Sequence, residues 1–174
     1  MFRLRQKHSR NLDRESVPVN ADKLIAAQSV RAAITGAVIA IIIFNIIWAY
    51  TASASGKFFP WFSILQGAAI GKAVQSYGRG FDWRFPVIAG AAAWTAAFSG
   101  NLFIALVFTV TETGGVGRDW WEVLRSFYAN TLSVVDVIYA FCAAAIAIYY
   151  SKRQLNRHEV FALRKHAAEK HGER

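Results

Sequence analysis

Residues 85–110 run for 26 positions without a charged side chain, and that stretch limits the chain more than any other feature. As an α-helix it would reach about 39 Å, more than the ~30 Å hydrocarbon core of a bilayer. A water-soluble helix of that length would carry charge along one face. The surplus length predicts a tilted crossing. Residues 32–50, which include AVIAIIIFNIIWAY, are also uncharged and end on the aromatics Trp48 and Tyr50. Interfacial belts favour such rings.

Hydrophobic residues make up 55% of the 174, yet Lys and Arg number 20 against 11 Asp and Glu. The charges lie between the apolar blocks. Lipid solvates neither a charge nor a bare peptide group, so this segregation predicts a membrane-spanning chain. The expected fold is all-α and polytopic, with four transmembrane helices over residues 32–50, 58–77, 85–110 and 131–150. The domain plan is a basic N-terminal segment (1–31), the four-span bundle (32–150) and a basic helical tail (151–174). The first block is read as a retained span, because no small-residue cleavage site follows it.

The second span is the weakest. Pro60 suits a first helical turn, and Lys72 can snorkel to headgroups, but the apolar length is marginal and a re-entrant helix stays open. Asn20 or Asp22 can cap a helix leading into the first span. In residues 119–130, Trp120, Trp121, Leu124, Phe127 and Tyr128 share one helical face. This predicts a short amphipathic helix in the outer interface, anchored by Trp120, Trp121 and Phe127. The tail has no helix breaker before Gly172 and is expected to continue the fourth span. Gly78 and Gly80 are expected to supply the turn into the third span. Cys142, the single cysteine, is expected to be a buried thiol.

Orientation follows from counting. With 1–31, the middle loop and the tail on one side, seventeen of the twenty Lys and Arg lie there. The positive-inside rule then puts both ends in the cytoplasm. The basic ends suit anionic lipid headgroups, and no nucleic-acid partner is expected.

Depth counting predicts a polar intramembrane layer. Asn45 and Asp136 each lie about five residues, or roughly 7 Å, inside the outer ends of their spans. Ser63 matches them in depth, with Gln66 and Asn101 beneath. An intramembrane carboxylate suggests an ion or proton site, or a packing device. Gly67 and Gly71 form G-x-x-x-G, and Gly36 and Gly100 are further helix-packing positions. The four-residue spacing recurs at Ala32, Gly36 and Ala40 and at Ala140 and Ala144. Such stripes serve packing within one chain or between subunits.

Negative readings bound the function. A phosphate loop would need G-x-x-x-x-G-K-[ST], which is not present. His158, His166 and His171 lack the i, i+4 spacing of a helical zinc pair, so no metal or cofactor is expected. Arg153 and His158 have a spacing known in some ribonucleases but no supporting acid. No catalytic set emerges, and the chain is expected not to be an enzyme.

Within 67–102, Gly67, Gly71, Val74, Gly78, Gly80, Arg84-Phe85 and Gly100-Asn101-Leu102 resemble a pattern in small bacterial inner-membrane proteins without an assigned activity. The resemblance implies a bacterial inner-membrane location and carries no chemistry. The leading expectation is a non-enzymatic membrane component associating with itself or with a membrane or cytoplasmic partner. A sensor, effector or accessory subunit of a small operon, such as a phage-defence system, fits. The alternative is a small oligomeric ion channel or transporter built on the polar layer.

Overall fold

The computed structural model describes residues 20–113, 121, 122, 125 and 133–172. The helices are α1 (Ala21–Ala26), α2 (Val30–Ser55), α3 (Phe62–Gly78), α4 (Arg84–Thr113), α5 (Val134–Ser151) and α6 (Arg157–Gly172). No strand occurs among the described residues. Two compact units result. Residues 27–154 hold α2 to α5, and the two chain ends form the other, with α1 packed against α6.

Helices α2 to α5 alternate in direction. At one end the Ser29 amide donates to the Gly78 carbonyl (3.0 Å), tying the start of α2 to the end of α3. Phe85, opening α4, packs against Gly78 and Gly80, and the Gln75 amide nitrogen donates to the Lys152 carbonyl just past α5 (2.7 Å). Starts and ends therefore meet at one pole. Three of the helices are long and apolar enough to cross a membrane: α2, α4 over Arg84–Val107, and α5. Helix α3, with 17 residues, reaches only about 26 Å.

Residue size is sorted in the reverse of a water-soluble bundle. Inside lie Ala33, Ala37, Ala89, Ala93, Ala96 and Ala147, around the larger Phe85, Ile70 and Val74. Outside lie Ile34, Val38, Ile42, Ile46, Phe103, Ile138 and Phe141, with Ile42 53% and Phe141 62% exposed. A soluble protein does not leave such a continuous apolar exterior uncovered. In lipid the exterior is already solvated, and small residues are selected inside because they let helix backbones approach. This is the surface of a membrane protein.

The glycines mark the closest approaches. A Cβ on Gly67 would strike the Ala143 carbonyl, and one on Gly71 would lie 2.5 Å from the Ala147 oxygen. A Cβ on Gly36 would lie 2.8 Å from the Tyr77 ring, and one on Gly100 would lie 2.7 Å from the Trp48 ring. All four serve contacts within the chain. On α5, Ala140, Ala143 and Ala147 are buried, with Ala143 and Ala147 against the α3 glycines and the Ala144 carbonyl near Gly90 of α4. On α2, Ala33, Gly36 and Ala37 are buried, Ala40 packs against the same core, and Ala32 is half-buried.

Several expectations are corrected. Pro60 lies in a turn before α3, not within its first helical turn, and α3 begins at Phe62. The Pro60 carbonyl accepts from the Ser63 hydroxyl (2.9 Å), which closes that turn. The tail is not one helix with the fourth span. Lys152 is extended (φ −72, ψ 118), its carbonyl held by Gln75, and the helix restarts at Arg157. Asn156 opens α6, its amide donating to Glu159 (2.8 Å). Asn20 caps only the short α1, whereas Ser29 caps α2 by accepting from the Ala32 amide (3.2 Å). Arg79, not a glycine, takes the left-handed conformation after α3 (φ 49). Cys142 lies on the exposed side of α5. Of residues 119–130, Trp121, Glu122 and Arg125 are helical. Trp120, Phe127 and the other positions lie outside the described residues, as does Thr131.

Candidate functional site

Within 27–154, polar side chains interrupt the apolar interior at one level. The Gln66 amide nitrogen donates to Asn45 Oδ1 (2.7 Å), and Asn45 Nδ2 donates to the Ser99 hydroxyl (3.1 Å). The Ser99 hydroxyl in turn donates to the Ala96 carbonyl (3.1 Å). This chain of bonds joins α3, α2 and α4. Gln66 is 1% exposed and Asn45 9%.

Apolar packing closes the layer on both sides. One cluster contains Ala33, Ala37, Ile70, Val74, Phe85, Ala93 and Ala96. The other contains Trp48, Ala49, Ala52 and Ile104, with Phe62 and Val107 against it. The Trp48 ring stacks on Phe62 at 5.6 Å and on Phe58 at 6.0 Å. Asn45 and Gln66 are thus shut off from bulk solvent, with Ser99 half-buried beside them, and an unbonded polar group there is costly.

The expected layer is only partly assembled. Asn45 meets Gln66, which depth counting placed deeper, and it also meets Ser99. Ser63 bonds the Pro60 carbonyl instead. Asp136 accepts from the Ser133 amide (2.9 Å), while the Ser133 hydroxyl accepts from the Val135 amide (3.3 Å). These bonds belong to a capping box at the start of α5. Asp136 is therefore engaged in the first turn of its own helix, where a carboxylate also complements the helix dipole. The depth error has a simple source. Helix α2 continues to Ser55, so Asn45 lies ten residues from its end rather than five. Ser99 was missed, although Ser99-Gly100-Asn101 is a polar interruption in an otherwise apolar helix.

Among the described residues, three buried side-chain polar atoms have no hydrogen-bond partner: Gln66 Oε1, Asn101 Oδ1 and Trp48 Nε1. Turning both amides over does not remove the surplus at Gln66. Ser99 would then donate to Asn45 and Asn45 to Gln66, leaving the Gln66 NH2 unused. The layer consists of amides and a hydroxyl, none of which ionises near neutral pH. It can bind helices together or hold a water, but it offers no general acid or base, and the Ser99 hydroxyl donates to the Ala96 carbonyl rather than to an activating base. Among the described residues, no three His, Cys, Asp or Glu side chains are grouped to hold a metal.

Outside the bundle, α1 and α6 enclose an open groove of about 530 Å³ lined by Asp22, Ile25, His166, Glu169 and Lys170. His166 Nε2 lies 3.0 Å from Asp22 Oδ1 across it. No protein family, curated protein or solved structure matches this chain.

Proposed function

We propose that this chain is a non-enzymatic component of a bacterial inner membrane, a four-crossing anchor that holds a cytoplasmic recognition unit made from both chain ends. The observation that carries the reading is the packing of α1 on α6. One precedes the first apolar helix and the other follows the last, so their contact favours an even number of crossings. Counting α3 with the three longer helices gives that even number. Its short length is extended by the aromatic approach Phe58, Phe59 and Trp61, which suits an interface. The basic bias of the ends supports a cytoplasmic location. The partner is a protein segment received by the α1–α6 groove, whose lining offers both charge signs and one apolar side chain, Ile25.

A photo-reactive side chain at position 25, in cells, tests this. The expected result is a discrete protein adduct, either a partner or a second copy, that disappears when residues 155–174 are removed. The same group at position 42, on the lipid-facing side of α2, should give only lipid adducts. A chain that captures no protein from position 25 overturns the reading.

The unpartnered Gln66 Oε1 and Asn101 Oδ1 favour a second reading, a small oligomeric channel or carrier. Ion flux through liposomes containing the purified protein, abolished by Gln66→Leu, would establish it at the expense of the first. Asp136 lends this reading no support, because its carboxylate is engaged in the cap of its own helix.

A further inference from the structure

Helix α6 has a second surface, away from the groove. At about 100° per residue, Phe161 lies roughly 40° around the axis from Arg157 and from Lys165, and roughly 60° from Arg164. All four side chains are exposed, and Phe161 is 71% so. Of the acids on α6, Glu159 projects to the opposite side, about 160° from Phe161. Glu169 sits at the margin, 3.9 Å from the Lys165 ammonium. An exposed aromatic ring between cations is costly in water but matches a membrane interface. There the ring enters the headgroup–acyl boundary while guanidinium groups pair with phosphates.

We infer that this face of α6, centred on Phe161 and flanked by Arg157, Arg164 and Lys165, docks on anionic lipid. The inference rests on the membrane reading above. Residues 152–156 between α5 and α6 are not helical, and five residues span at most about 18 Å. That tether holds α6 close to the surface its parent bundle occupies, so docking needs no high intrinsic affinity. An acidic protein or a nucleic-acid duplex would satisfy the cations but would leave Phe161 in water.

The test uses the full chain in nanodiscs of phosphatidylcholine alone or mixed with phosphatidylglycerol. In a Cys142→Ser background, a fluorophore is placed at Ala168→Cys, beside Phe161, or at Ile42→Cys on the bundle exterior. Brominated acyl chains should quench the Ile42 probe in both discs but the Ala168 probe only in anionic ones. Arg157→Gln with Arg164→Gln should lower the docked-to-free ratio about 25-fold, at about fivefold per cation. Phe161→Ser should lower it about tenfold. An Ala168 probe that stays in water in anionic discs, is quenched equally in both, or is shielded only by added RNA or acidic protein overturns the docking face alone. An unquenched Ile42 probe overturns the membrane reading, and the docking with it.

Discussion

Helix α3 meets α5 and α2 by opposite means. Toward α5 it presents the bare backbone of Gly67 and Gly71 to the Ala143 and Ala147 carbonyls. Toward α2 and α4 it presents the Gln66 amide, joined through Asn45 to Ser99. The first interface gains dispersion from close approach, and the second gains hydrogen bonds that lipid cannot supply. Neither depends on expelling water, because lipid removes the hydrophobic drive between helices. The two should therefore respond differently to substitution.

The largest effect is expected at the close contact. Gly67→Leu or Gly71→Leu should cost about 3 kcal/mol or more, read by denaturant titration in micelles, because the backbones must separate. Even Gly67→Ala should be costly, and Ala143→Gly should not rescue it, since the obstacle is the Ala143 carbonyl rather than its methyl. Gly100→Ala is the contrast. Its obstacle is the Trp48 ring, so Trp48→Leu should recover part of the loss. Rescue of Gly67→Ala by Ala143→Gly would break the distinction between backbone-limited and side-chain-limited contacts.

A smaller effect is expected in the polar layer. Asn45→Leu removes two hydrogen bonds and should cost about 1–2 kcal/mol, with Gln66→Leu costing less, as membrane hydrogen bonds average about 0.6 and reach about 1.7 kcal/mol. A double-mutant cycle on Asn45 and Gln66 measures their coupling directly. A coupling near zero would show that the layer is held by its apolar surroundings. Smaller again is the cap. Ser133→Ala should cost about 1 kcal/mol through fraying of α5, without altering the layer. If Asp136→Asn instead disturbed Asn45 and Gln66, the capping role would be incomplete.

This contrast also explains what could be read from the chain itself. The apolar blocks of α2, α4 and α5 were legible because each is a local property of composition, which lipid enforces residue by residue. The small-residue stripes were legible as spacing, but not as pairings. Whether Gly67 faces Ala143 or Ala144 depends on helix rotation, which no single helix encodes. The polar layer was half legible. Asn45 and Gln66 stood out as amides among apolar neighbours, yet their common level depended on where α2 ends. Tyr50 looked like an interfacial stop, but Thr51 and Ser55 return hydroxyl bonds to their own helix, at 2.7 Å each, and let it continue. The break at Lys152 was invisible for a related reason. Its carbonyl is taken by Gln75, a residue 77 positions away.

The smallest effect, of opposite sign, is expected at the turn between α3 and α4. Arg79 is exposed and adopts φ 49, a conformation that costs an L-residue about 1–2 kcal/mol. Its amide donates to the Gln75 carbonyl (3.1 Å), a bond that glycine would keep. Arg79→Gly removes the steric cost but loosens the unfolded chain by about 0.4–1 kcal/mol, leaving a net gain of roughly 0.5–1 kcal/mol. The flanking glycines should behave oppositely. A Cβ on Gly78 would lie 2.8 Å from the Ala33 methyl and the Phe85 ring, and one on Gly80 would overlap that ring. Within three residues, then, the non-glycine improves on becoming glycine, while Gly78→Ala and Gly80→Ala destabilise. If Arg79→Gly also destabilised the protein in lipid but not in neutral detergent, its guanidinium would be holding a headgroup phosphate, and the turn would be a membrane contact as well as a connector.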